Sequence, residues 1–332
     1  MGRRGSQAGF LAPLALAALL GSARPTPFCQ AQEPESVSAL ATRLAALPAV
    51  TGYEQAFADT LLRLLPAAGR DRAGNVRFRN SEGSAKRLVV CPVDEPGYVV
   101  GNLRADGYLT LRRVPGRVTT LFDQQIEGQR ITIQGARGPV PGVVAVRSIH
   151  LTRGRAGPTE APFTVDDAYV DVGAGSLADL TRLGIKLLAP VTLTKRPHRY
   201  GKDLLAAPGA GRRAACAALL VATRQSILRA RLMPPVTIAF VVEQELSRRG
   251  LTTLANADGP FTETLIVDGR AGQLGSLQQS VGSDTSSASR KLGRVLEWSL
   301  SVRYTGTAAE TVSLRDADSL RQELVKWIGG EQ

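Results

Sequence analysis

Histidine is nearly missing from this chain: of 332 residues only His150 and His198 carry an imidazole. A metal centre built from several histidines is all but excluded, and any Ser-His-Asp or Cys-His arrangement must use one of those two. Three cysteines are too few for a disulfide scaffold. Lysine is scarce as well, with six among 41 cationic residues. The apolar run Phe10 to Leu20 holds only 11 residues, too short to span a bilayer.

What is present is a globular composition, 43% hydrophobic and 21% charged, with 34 glycines and 19 prolines. The length suits one large α/β domain or two smaller ones. Arg3 and Arg4, the apolar run and the small residues Gly21, Ser22 and Ala23 make residues 1–31 an expected cleaved signal peptide. The expected location is then exported, periplasmic or extracellular, with no membrane span after cleavage. The net charge of +12 falls to +9 once Arg3, Arg4 and Arg24 leave with that segment. Arginine pairs such as Arg112-Arg113 and Arg248-Arg249 are not interleaved with aromatics, which predicts a solvated basic surface and no nucleic-acid partner. Cys91 and Cys216 lie in apolar stretches and read as buried free thiols.

Ser36 to Leu47 has apolar residues at helical spacing with Ser36 as N-cap, and Pro48 ends it. A second helix is expected over Tyr53–Leu65, and strands over Val76–Arg79 and Arg87–Cys91. From Tyr98 to Leu193 the pattern changes to six short alternating segments punctuated by glycine and proline, as in a small barrel or sandwich. Helix returns over Arg213–Ala230, followed by the apolar strand Val236–Val242 and a helix at Leu251–Ala255. Strands are expected at Thr264–Val267 and Leu300–Tyr304. Gln273–Ser289 reads as a loop, and Asp316–Ile328 as a closing helix capped by Asp316. The order is α/β, an all-β insert at 98–193, then α/β again, with 32–97 and 194–332 forming one domain.

Several segments, in collinear order, resemble the glutamyl/deblocking aminopeptidases, dinuclear metallopeptidases that assemble as tetrahedral particles. Thr51-Gly52-Tyr53-Glu54 resembles that family's Ser-Gly-Tyr-Glu, and Asp71 to Asn75 its Asp-x-x-Gly-Asn. Val93-Asp94-Glu95-Pro96-Gly97-Tyr98 resembles a strand end Met-Asp-Glu-Ile-Gly-Phe. His150-Leu151, Asp171 to Ala174 and Leu183-Gly184-Ile185 follow in the same order, as do Val302-Arg303-Tyr304 and Leu314-Arg315-Asp316. The resemblance implies a three-layer α/β/α sandwich interrupted by a barrel-like dimerisation domain.

It also implies where a dinuclear zinc or cobalt site would stand, with two metals activating water and a carboxylate taking its proton. Carried over residue by residue, most of that site is missing. The first histidine ligand is Pro92, the bridging aspartate is Gly211, and the last histidine is Gly306. The general base is Gln244. Glu245 and Asp268 keep their ligand positions. Asp94, whose counterpart orients a ligand histidine, has nothing to orient, and Arg212 adds a cation where metals would sit. Glu245 and Asp268 are expected to pair with Arg212, Arg213 or Arg248. Asp284 matches a substrate-side Gly-Thr-Asp, and the segment between Asp268 and Gly282 is shorter than the family's.

The expected function is therefore a secreted, catalytically inactive homologue acting as a binding or assembly module, with no cofactor. Its expected partners are a peptide ligand, an active paralogue, or further copies joined through the β insert. The alternative is an active peptidase with relocated zinc or cobalt ligands, which would need His150, His198, Cys91 or Cys216 to converge. If the scaffold is intact, Pro92→His, Gly211→Asp, Gln244→Glu and Gly306→His together should restore metal binding.

Overall fold

The computed structural model describes residues 35–81, 85–115, 118–119, 122–145, 163–228, 234–282 and 289–330. The expected signal segment, His150 and Asp284 lie outside the described residues.

Helix α1 (Val37–Ala45) buries Val37, Leu40, Ala41, Leu44 and Ala45 on one stripe, and Ser36 Oγ accepts the Ala39 amide at 3.2 Å as its cap. Helix α2 (Gln55–Leu64) follows, then strands β1 (Gly69–Arg70), β2 (Val76–Arg79) and β3 (Arg87–Pro92). The chain then forms β4 (Gly97–Leu103), β5 (Leu109–Val114), β6 (Arg130–Gly135), β7 (Gly138–Ala145), β8 (Tyr169–Asp171), helix α3 (Leu177–Arg182) and β9 (Pro190–Leu193). It returns through β10 (His198–Tyr200), β11 (Leu204–Ala206), α4 (Ala210–Leu228), β12 (Val236–Val241) and α5 (Arg249–Asp258). Last come β13 (Glu263–Ala271), β14 (Leu277–Val281), α6 (Ser289–Leu292), β15 (Arg294–Arg303), β16 (Thr311–Ser313) and α7 (Leu314–Gly329).

Ten strands make one sheet in the order β1-β2-β12-β3-β13-β15-β16-β11-β10, with β14 also on β15. β12, β3, β13 and β15 are parallel neighbours. All six residues of β12 are buried, as expected for a strand covered on both faces. Alternate side chains divide between two layers. Val89, Ile238, Phe240, Leu265 and Val267 pack with α1, α4 and α7, whereas Leu88, Val90, Ala239, Val241 and Ile266 pack with Leu251 and Leu254 of α5 and Leu292 of α6. This is the three-layer sandwich that the resemblance implies.

β4-β5-β8-β7-β6-β9 close into a barrel with its own core of Val100, Leu109, Ile131, Ile133, Val170 and Val191. A buried ion cluster clamps the two chain crossings into it. Lys195, just after β9, lies 2.5 Å from Glu95 Oε2, just before β4, and Arg213 Nη2 of α4 approaches the same oxygen at 3.2 Å. Burial would push the Glu95 pKa up, but the two cations hold it below the usual carboxylate value.

Four expectations are corrected. Cys91 and Cys216 are joined in a disulfide, because Cys91 faces α4 from the sheet and the two Cα atoms are 5.5 Å apart. β14 forms within the expected loop, since its backbone pairs antiparallel with β15. β15 runs ten residues rather than starting at Leu300, supported along its length by β13. The cap of α7 is Ser313, whose Oγ accepts the Asp316 amide at 3.1 Å, and Asp316 sits in the first turn.

Candidate functional site

Parallel strands β3, β12 and β13 bring their carboxyl ends to the first turn of α4, the crevice where open α/β sheets gather their ligand groups. Pro92 closes β3 and Asp94 follows it. Gln244 and Glu245 follow β12, Asp268 lies in β13, and Gly211 and Arg212 open α4. The loop after β12 is tightly wound, with Glu243, Ser247 and Arg248 all at positive φ.

The Arg212 guanidinium occupies the centre. Nε and Nη2 donate to Asp268 Oδ1 and Oδ2, both at 2.9 Å. Nη1 donates to Glu245 Oε1 at 3.0 Å and to the Asp94 carbonyl at 2.6 Å, and lies 3.8 Å from Asp94 Oδ1. One planar cation thus satisfies a bidentate carboxylate and two further oxygens. Burial alone would lower the Arg212 pKa, but Asp268, Asp94 and Glu245 outweigh it and hold the group above its ordinary value. Of the three candidate arginines, Arg212 takes both retained carboxylates. Arg213, fully buried over the Phe57 ring, turns to Glu95 and the Val93 carbonyl.

Asp94 does have something to hold. Its Oδ2 accepts the Thr51 hydroxyl at 2.8 Å and the Glu245 amide at 3.0 Å, tying the turn before α2 to the loop after β12. Its Oδ1 is buried without a hydrogen bond.

Glu310 belongs to no sequence motif, yet it sits at the floor of the same site, buried beside the start of α4. The Gly211 amide donates to its Oε1 and the Gly306 amide to its Oε2, each at 3.0 Å. Gly211 and Gly306, two positions where the resemblance would place metal ligands, are therefore bridged through their backbones by one buried carboxyl. Burial raises the Glu310 pKa against the pull of those two amides.

Glu54 is buried as well, and its Oε1 accepts the amides of Gly52 at 3.0 Å and Glu243 at 2.9 Å. Burial outweighs these bonds, with Asp94 adding repulsion, and pushes its pKa up to about 6 from 4.5. A carboxyl raised in the folded state carries no penalty below pH 4.5, where both states are protonated. The penalty grows as pH rises through 6 and reaches about 2 kcal/mol. Glu54→Gln keeps the acceptor oxygen, so it should stabilise the protein by about that amount at pH 7.5 and by nothing near pH 4. Denaturant titrations at the two pH values check this, and an equal effect at both would refute it.

The family resemblance implies two metals here, and the residues present do not fit them. Proline and glycine at 92, 211 and 306 offer no side-chain donor, and a guanidinium fills the middle. Among the described residues no group of three or more His, Cys, Asp or Glu could hold a metal ion. A Cβ on Gly211 would lie 2.5 Å from Val302 Cγ1 and 3.0 Å from Gly269 Cα, and Gly306 has φ +71°. The fourfold restoration is therefore expected to fail, against the expectation from sequence. Isothermal titration with zinc should show no binding, and tight binding of one or two ions by a natively stable variant would refute this packing argument.

The model of the M42 glutamyl aminopeptidase family matches residues 74–271. The chain belongs to this family. Among curated relatives, the putative aminopeptidase SgcX of Escherichia coli K12 is 32% identical over 212 residues, which are 61% of this chain and 54% of that protein. Lysyl aminopeptidase of Pyrococcus furiosus is 26% identical over 218 residues, 64% of this chain and 61% of that one. The match thus spans little more than half the length of these relatives. The TET1 peptidase of Pyrococcus horikoshii, described as assembling into a tetrahedron or a large octahedral shell, shares the fold with a TM-score of 0.78 at 19% identity, over 88% of this chain and 99% of that one. A TET aminopeptidase from a marine sediment thaumarchaeote does so with 0.74 at 18%, over 87% and 95%. The M42 fold is thus retained with an arginine-centred crevice.

Proposed function

We propose that this chain is a non-hydrolysing member of the M42 family, exported from the cytoplasm, whose sandwich and barrel serve as a binding or assembly module. The observation that carries this reading is the Arg212 guanidinium held by Asp268, Glu245 and the Asp94 carbonyl. A cation fixed there competes directly with any divalent ion for the same carboxylates. Gln244, at the position of the base, has no carboxylate to take a proton from water, a loss worth about 10²–10⁴ in rate by itself.

The Cys91–Cys216 disulfide supports export, because such bonds form and persist in oxidising compartments. So does the signal-like segment over residues 1–31. The assemblies described for TET1 support a homo-oligomer joined through the barrel, beside which a peptide or an active paralogue would be the partner.

The test is metal content by mass spectrometry on the purified mature chain, after incubation with zinc or cobalt and desalting. Near-zero metal and no hydrolysis of aminoacyl substrates are expected. One or two equivalents, with hydrolysis abolished by a chelator, would overturn the reading in favour of a peptidase with relocated ligands.

A further inference from the structure

Among the described residues β14 has a strand neighbour on one side only. Leu277–Val281 runs antiparallel to Leu300–Leu296 of β15, and among the described residues no strand pairs with its other edge. The Gly282 amide donates to the Val295 carbonyl at 3.0 Å, which sets the phase of the ladder. Gln278 and Ser280 therefore turn their backbone groups toward β15, while Gln279 and Val281 turn theirs outward.

Exposed edges are commonly blunted by charge, proline or a bulge. The sequence Leu-Gln-Gln-Ser-Val has no charge and no proline, and its register with β15 is unbroken. Val281 is 68% exposed. Opposite Val281 and Gln279 stand Leu296 and Trp298, half-buried against the main core, so the apolar side chain that an added strand would meet first is Val281 itself. At the start of β15 and in α6 just before it, Arg290, Lys291 and Arg294 are exposed, and none of them forms an ion pair among the described residues.

We infer that the outer edge of β14 docks an extended acidic segment of another protein, which adds to the sheet as a further strand. Backbone bonds to Gln279 and Val281 would supply the pairing, and the three exposed cations would select for acidic side chains. A second copy of this edge is disfavoured as the occupant, because Leu277 to Val281 carries no acidic side chain to meet those cations. The inference stands apart from the crevice and holds whether or not that site is silent.

The experiment uses the full mature chain and a fluorescent peptide of alternating valine and glutamate, followed by anisotropy. Saturable binding is expected, weakened about tenfold when alternate peptide amides are N-methylated, since that removes the edge bonds. Val281→Pro should weaken it similarly, and Arg290→Glu with Arg294→Glu should weaken it about fivefold or more. The N-methyl comparison uses the unaltered protein, so it stands even if a variant folds poorly. Absence of binding, equal binding of the N-methylated peptide, or equal binding of a valine–lysine peptide would overturn the inference. Sedimentation showing a dimer that Val281→Pro dissolves would assign the edge to a second copy, which also overturns it.

Discussion

Replacing Arg212 by alanine is expected to lower unfolding free energy by about 3 kcal/mol, the lower end of what breaking a buried ion pair costs. Asp94 is fully buried, and the side chains of Asp268 and Glu245 are 22% and 29% exposed. Truncation leaves three carboxylates facing one another without their cation, and water can reach only two of them. The lower end of the range is appropriate for that reason. Arg212→Lys should recover part of the loss, because an ammonium supplies charge but cannot span both oxygens of Asp268. Adding Asp268→Asn and Glu245→Gln to Arg212→Ala should recover most of it by removing the uncompensated charge. Urea titration of the four proteins measures this. A wild-type-like Arg212→Ala would mean that the guanidinium does not hold the crevice.

The second large effect concerns the disulfide. Cys91 and Cys216 are separated by 125 residues in sequence. Closing so long a loop in the unfolded chain corresponds to about 5 kcal/mol in the chain-entropy account, with measured values more often about 2–4. Cys91→Ala with Cys216→Ala should therefore lower stability by several times the thermal energy, about 3 kcal/mol or more, even though both side chains are fully buried. The loss should appear also on reducing the wild-type protein in denaturant, and should be absent when the double variant is treated with reductant. Equal stability of the oxidised and reduced wild-type protein would refute it.

Local pattern carried much of the fold. Six alternating segments between Tyr98 and Thr194 became the six barrel strands, because a strand with one buried face repeats every two residues and glycine or proline marks its ends. Ser36 capped α1 as read, and the continuous apolar run at Val236 marked a strand covered on both faces. β14 was illegible for a physical reason. Gln278, Gln279 and Ser280 carry no alternation, and that segment is a strand only because β15 is there to pair with it. The disulfide was misread because apolar surroundings describe a cysteine's burial and say nothing of its distance from another one. In the crevice, Arg212 was legible as a cation beside two orphaned carboxylates. Glu310 was not, since its two amide partners at 211 and 306 meet only after α4 docks beside the loop after β15.

Gly211 and Gly269 lie so close that a Cβ built on Gly269 would be 2.7 Å from the Gly211 Cα. Helix and strand meet where the resemblance would put a bridging carboxylate. An aspartate at 211 cannot enter until Val302 shrinks and the two backbones part. Either change alone opens a void or strains the sheet, with no ligand gained. A carboxylate at 211 is therefore reached only through a less stable protein, unless Val302 and the Gly269 backbone give way together. A metal centre selected on this scaffold would be expected to draw its bridging ligand from a position other than 211.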